Sequence, residues 1–144
     1  MTQVTFYQLE DDDITTAATQ LVLKHYRARQ QSVLVCEDKV TAEHWDEHLW
    51  QQPTDAFIPH NLRGEGPPNG APVMIVWQPA NESAYVMFNF TTQALTPTHK
   101  TKLIVEFVPT DEAGKQAARE RYKHYQRAGC QLQFQPMPKE SHNG

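Results

Sequence analysis

Hydrophobic positions along the chain switch between the strand and the helix period. Val4-Thr5-Phe6-Tyr7-Gln8-Leu9 is rich in β-branched and aromatic residues and runs into the acidic cluster Glu10-Asp11-Asp12-Asp13. That order predicts a strand followed by a helix N-terminus, where acidic side chains cap free N–H groups and complement the helix dipole. From Ile14 the period becomes helical: Ile14, Ala17, Ala18, Leu21, Val22 and His25 share one stripe, which ends near Arg29-Gln30-Gln31. His25 on that stripe reads as a hydrogen-bonded core or boundary histidine. Ser32-Val33-Leu34-Val35-Cys36 is apolar on both faces, as in a strand covered on both sides by helices. Strand, helix and strand make a βαβ unit with the usual right-handed crossover.

A second helix is predicted over Thr41 to Trp50. The stretch from Gln51 to Pro72 is dense in Pro and Gly and has no period, which predicts a long loop of the functional kind. Strands are expected at Val73–Trp77, Tyr85–Phe90 and Leu103–Val108, with Thr96-Pro97-Thr98 in the last connection. The clearest helix is Asp111 to Ala128: Pro109-Thr110 supplies the N-cap, Asp111 and Glu112 lie in the first turn, Arg127 in the last, and Gly129 follows as C′. Leu132 and Phe134 suggest a short final strand, and Pro136 to Gly144 a frayed end. The predicted fold is one α/β domain over residues 1–144 with a largely parallel sheet flanked by helices.

Composition narrows the function classes. A chain of 144 residues with 39% hydrophobic and 21% charged residues is neither disordered, collagenous nor coiled coil. Its net charge of -4 and pI of about 5.9 argue against coating a nucleic-acid backbone, so any basic site must be local. Cys36 and Cys130 lie far apart with no C-x-x-C spacing, which predicts reduced thiols in the cytosol instead of a disulfide scaffold or zinc ribbon. No apolar run approaches the ~18–20 residues of a membrane span, and Met1 is followed by polar Thr2 and Gln3 instead of a basic signal region.

Three motifs bear on chemistry. His44-Trp45-Asp46-Glu47-His48 fits H-x-x-E-H, in which two histidines one turn apart hold zinc and the glutamate acts as general base. A five-residue pattern arises easily by chance in a chain with 7 His and 17 acidic residues, and no third ligand can be assigned. The bland reading, in which Asp46 and Glu47 solvate a helix face, outweighs the metal site. Gly64-Glu65-Gly66-Pro67-Pro68-Asn69-Gly70 resembles a phosphate loop only in its glycines. Two prolines remove donors, no G-K-[ST] follows, and the next element is a strand. No G-x-S-x-G supports a serine nucleophile, and both cysteines read as structural.

The last helix gathers Lys115, Arg119, Tyr122, Lys123 and Gln126 on about a third of its circumference, opposite Gly114, Ala117, Ala118, Tyr125 and Ala128. The stripe should point away from the core. Five basic residues (Lys115, Arg119, Arg121, Lys123, Arg127) against three acidic ones (Asp111, Glu112, Glu120) leave this helix at +2 within a chain of -4. Such a stripe suits an acidic peptide whose terminal carboxylate takes the arginine fork while an apolar side chain packs beside Tyr122, or it is a solvated face. Arg121 lies toward the apolar side, where it should snorkel or pair with a carboxylate. Trp50, Phe57, Ile58, Pro59 and Leu62 concentrate apolar bulk in and before the long loop, either as core or as a partner anchor.

Several strings carry a resemblance. Phe57-Ile58-Pro59-His60-Asn61-Leu62-Arg63-Gly64-Glu65-Gly66-Pro67, followed by Gly70-Ala71-Pro72-Val73, closely resembles the signature segment of the chi subunit of bacterial DNA polymerase III. Thr5-Phe6-Tyr7, Cys36-Glu37-Asp38, Leu49-Trp50, Val105-Glu106-Phe107-Val108-Pro109 and Ala118-Arg119-Glu120-Arg121-Tyr122-Lys123 also match. The resemblance is loose over Gln78 to Thr101 and does not reach Gln135 to Gly144. It implies a Rossmann-like fold without a working nucleotide loop, no cofactor, and a cytoplasmic, non-catalytic subunit of the clamp-loader complex. Its partners would be the psi subunit and the acidic C-terminal tail of single-stranded DNA-binding protein, with DNA contacted mainly indirectly. The resemblance puts the tail at Val108, Lys115, Arg119, Tyr122 and Lys123, and psi, or in some members a helicase, at Trp50, Phe57 and Pro59. The alternatives are a zinc-dependent hydrolase using His44, Glu47 and His48, and a direct single-stranded DNA binder.

Overall fold

The β-branched runs pair into one sheet, and the helical stripes cover its two faces. In the computed structural model, residues 1–51, 57–66 and 70–138 are described. Among them the order of elements is β1 (Gln3–Gln8), α1 (Ile14–Arg27), β2 (Ser32–Cys36), α2 (Lys39–Gln51), β3 (His60–Leu62), β4 (Val73–Trp77), β5 (Val86–Phe90), β6 (Leu103–Val108), α3 (Glu112–Arg127) and β7 (Gln131–Pro136). These seven strands form a sheet in the order β3-β4-β2-β5-β6-β1-β7, and every pairing is parallel. The expected α/β architecture is present.

Side chains alternate across the sheet, so two apolar layers form. On one face Tyr7, Leu34, Phe88 and Phe107 pack with Leu21 and Val22 of α1 and Trp45 and Leu49 of α2. On the other, Val4, Phe6, Val35 and Ile104 meet Ala118 and Tyr125 of α3. Among the described residues the second face has one helix. Ala84 and Leu95, from the helix-free connections flanking β5, complete that layer.

Several expectations shift. β1 and β2 bracket α1 as predicted but are not neighbours, because β6 and β5 insert between them. α2 begins at Lys39, two residues before the expected Thr41. The supposedly aperiodic stretch from Gln51 to Pro72 contains β3, which the period could not reveal because it is three residues long. Residues 52–56 and 67–69 of that stretch lie outside the described residues. The N-cap of α3 is Asp111, not Pro109-Thr110: its carboxylate accepts the Gly114 N–H at 2.9 Å. Gly129 occupies C′ with φ of 84°, the left-handed conformation that ends helices. At the C-terminal end β7 extends to Pro136, and the Met137 N–H donates to the Gln8 carbonyl at 3.1 Å; residues 139–144 lie outside the described ones.

Candidate functional site

α3 buries Ala118, Arg121 and Tyr125 against the sheet. The neighbouring stripe, Lys115, Arg119, Tyr122, Lys123 and Gln126, borders a groove of about 570 Å³. Its floor is Phe6, Gln8 and Val108 from β1 and β6, and Phe134 of β7 stands on the other side. The stripe therefore does not simply point away from the core. Tyr122 is half-buried, its ring 5.4 Å from that of Phe6, and so joins core to groove.

The cations on this lip are largely uncommitted. Lys123 lies 3.7 Å from Glu120, a pair exposed on both sides and worth little. Arg119 donates from Nη1 to Gln116 Oε1 at 3.1 Å, and among the described residues neither it nor Lys115 has an ion-pair partner. Chemically, the groove offers guanidinium and ammonium donors along one wall and apolar surface beneath. That combination accommodates an anionic group and an apolar group of one ligand side by side.

Behind the groove lies a buried polar network. Glu106, fully enclosed in β6, accepts Arg121 Nε at 2.8 Å, Tyr125 Oη at 2.6 Å and Asn89 Nδ2 at 2.7 Å. Arg121 Nη2 also donates to the Phe107 carbonyl at 3.2 Å. Burial pushes the Glu106 carboxyl up, while the Arg121 charge and the three donors oppose it. Burial and the adjacent carboxylate likewise raise the Tyr125 hydroxyl well above its ordinary value, so it serves as a donor. The expectation that Arg121 pairs with a carboxylate holds. Its partner was missed, although a lone Glu inside Leu103–Val108 is itself a signal that a buried charge needs a counterpart.

The second apolar group divides. Ile58 and Leu62 are buried, whereas Trp50 and Phe57 are 58% and 59% exposed with ring centroids 5.4 Å apart. Pro59, two residues after Phe57, is half-buried. His60 ties this segment to α2: its Nδ1 lies 2.7 Å from the Ile58 carbonyl and its Nε2 3.1 Å from the Asp46 carbonyl, with the Trp50 ring at 5.1 Å. The result is an aromatic pair left open to solvent beside a segment that His60 ties to α2.

Comparison with known proteins supplies the family. Residues 1–133 match the model of the family described as DNA polymerase III chi subunit, HolC. The chain belongs to that family. Among its relatives are proteins named DNA polymerase III subunit chi from Escherichia coli (strain K12), 38% identical with 92% of this chain and 96% of the relative covered, and from Haemophilus influenzae, 32% identical with 88% and 92% covered. Another of that name, from Pseudomonas aeruginosa, is 30% identical over 96% of this chain and 99% of the relative.

In this chi-family chain the H-x-x-E-H residues do not converge. His44 and Glu47 are exposed, and Glu47 accepts a hydrogen bond from Gln51 Nε2 at 2.8 Å. His48 turns toward Trp45, ring centroids 5.7 Å apart, with Nε2 buried and unpaired. Among the described residues no three His, Cys, Asp or Glu side chains gather as a metal site. The described residues of the glycine segment lie between β3 and β4, and the next described element is a strand, not a helix. Asn61 organises it, donating from Nδ2 to the Leu62 and Glu65 carbonyls at 2.7 Å each and accepting the Ala71 N–H at 3.0 Å. Burial pushes the Cys36 thiol up to about 12, which keeps it from acting as a thiolate nucleophile. No helix among the described residues is long and apolar enough to cross a membrane.

Proposed function

We propose that this chain is a non-catalytic accessory subunit of DNA polymerase III that works by bridging. One face receives the acidic C-terminal tail of single-stranded DNA-binding protein, and another holds the psi subunit within the clamp-loader complex, so the replicase is anchored to coated template in the cytoplasm. The observation that carries this is the groove beside α3, where Lys115, Arg119 and Lys123 stand over a floor of Phe6 and Val108 with Tyr122 between. A terminal carboxylate pairs with the cations, and the last apolar side chain enters beside Tyr122. The chain's net charge of -4 favours an indirect relation to DNA over direct coating.

The Trp50–Phe57 pair with Pro59 is the proposed psi surface, since exposed aromatics that pack on each other are what partners bury as hot spots. A helicase is the competing occupant of that surface. Titration with a short peptide copying the acidic tail, beside the same peptide lacking its final aromatic residue, tests the groove. Saturable binding of the first alone is the expected result. Binding of neither would overturn the receptor role, and tight binding of bare oligonucleotide would favour direct DNA contact instead.

A further inference from the structure

The groove has two unlike sides. α3 supplies all its cations, while β7, at the end of the sheet, supplies Phe134. Phe134 pairs in register with Phe6 of β1, so both rings project from the same face of the sheet. Their fates differ: Phe6 is covered by Tyr122 and Tyr125, whereas Phe134 remains 58% exposed. Leu132, two residues earlier on that face, packs into the core, and the alternate positions of the strand are Gln131, Gln133 and Gln135. Among the described residues of β7, then, the large apolar side chain left uncovered is the one that lines the groove. It lies just beyond residues 1–133, the span that the family model covers.

We propose that Phe134 is a specificity-determining residue, closing the groove opposite α3 and selecting a ligand whose terminal apolar side chain is an aromatic ring. This rests on the peptide-receptor role proposed above and adds the residue that reads the end group. The geometry orients such a ligand. A terminal carboxylate drawn to Arg119 and Lys115 directs its side chain away from α3, across the Phe6 floor and toward β7. A ring there meets Tyr122 on one side and Phe134 on the other, and aromatic pairs gain from edge and offset contacts beyond the area they bury. An alanine end group reaches neither wall.

The test is calorimetric titration of the full chain with two peptides sharing an acidic body, one ending in Phe and one in Ala. For the Phe-ended peptide, Phe134→Ala should weaken binding about tenfold. Its affinity for the Ala-ended peptide should change less than about twofold. Phe134→Leu keeps apolar bulk on the edge strand and should fall between, which guards against a lost strand being read as lost recognition. Undiminished binding of the Phe-ended peptide by Phe134→Ala, or an equal loss for both peptides, overturns the proposal. Wild-type protein that binds neither peptide instead removes the receptor role itself, and the proposal with it.

Discussion

Arg121 Nε donates to Glu106 Oε1 at 2.8 Å, with both side chains withdrawn from solvent at 8% and 0% exposure. The pair joins α3 to the middle of β6 and sets the rotation of the helix, which in turn decides that Lys115, Arg119 and Tyr122 face the groove. Removing one member leaves the other buried without its counter-charge. Arg121→Ala should therefore cost roughly 3–5 kcal/mol of unfolding free energy in urea titration. The double variant Arg121→Met with Glu106→Leu should be less destabilised than the sum of its single changes. Strict additivity would mean the pair is not coupled.

At the groove, Arg119→Ala should weaken the acidic tail peptide by roughly 1–3 kcal/mol, the upper end if the contact is partly desolvated. The residue is exposed and, among the described residues, its side chain bonds only Gln116, so thermal stability should hardly change. Added salt should weaken binding of the wild type more than of the variant. Calorimetry at two ionic strengths reads both effects, and unchanged affinity would take Arg119 out of the site.

On the other surface, Phe57→Ala should abolish co-purification with psi while the tail peptide still binds. Trp50 loses its ring neighbour at 5.4 Å, but the buried Ile58 and Leu62 keep the segment in place. Loss of both interactions together would indicate misfolding instead.

Acid should destabilise the protein through His25. Burial holds its imidazole below the ordinary 6.5, against the hydrogen bond from Nδ1 to Gln30 Oε1 at 2.6 Å. Because the unfolded chain takes up the proton first, this contribution is present above pH 6.5 and is lost as pH falls through the folded-state value. His48, shifted the same way by burial, adds to the trend. The urea midpoint should fall between about pH 7 and pH 5, and His25→Leu should flatten part of that fall. An unchanged slope would exclude His25 as its source.

Gly66→Ala should destabilise the β3–β4 connection by roughly 1–3 kcal/mol. Its φ of 90° disfavours any side chain, and a Cβ would stand 2.8 Å from Asn61 Cγ, displacing the amide that bonds Leu62, Glu65 and Ala71. Gly64→Ala, at φ of 84° but in open space, should cost less. Thermal denaturation of the two variants compares strain alone with strain plus collision.

The sequence by itself determined the elements whose periods are long enough to read: α1 from Ile14, β2 at Ser32–Cys36, β6 at Leu103–Val108 and α3, with Gly129 just past its end. Local propensity and helical geometry were sufficient there, and the same projection gathered Lys115, Arg119, Tyr122 and Lys123. Strand order was not legible, because which parallel neighbour a strand takes depends on contacts distant in sequence; β6 and β5 thus separate β1 from β2. β3 escaped because its three residues carry no period, and Asp111 displaced Thr110 as cap because only its side chain meets the Gly114 N–H. Division of the loop's apolar side chains into buried Ile58 and exposed Phe57 was likewise settled by packing against α2 and the sheet. The groove itself is a tertiary object. Phe6 and Phe134 stand 128 positions apart in the chain, and only parallel pairing of β1 with β7 puts their rings on the face that α3 borders.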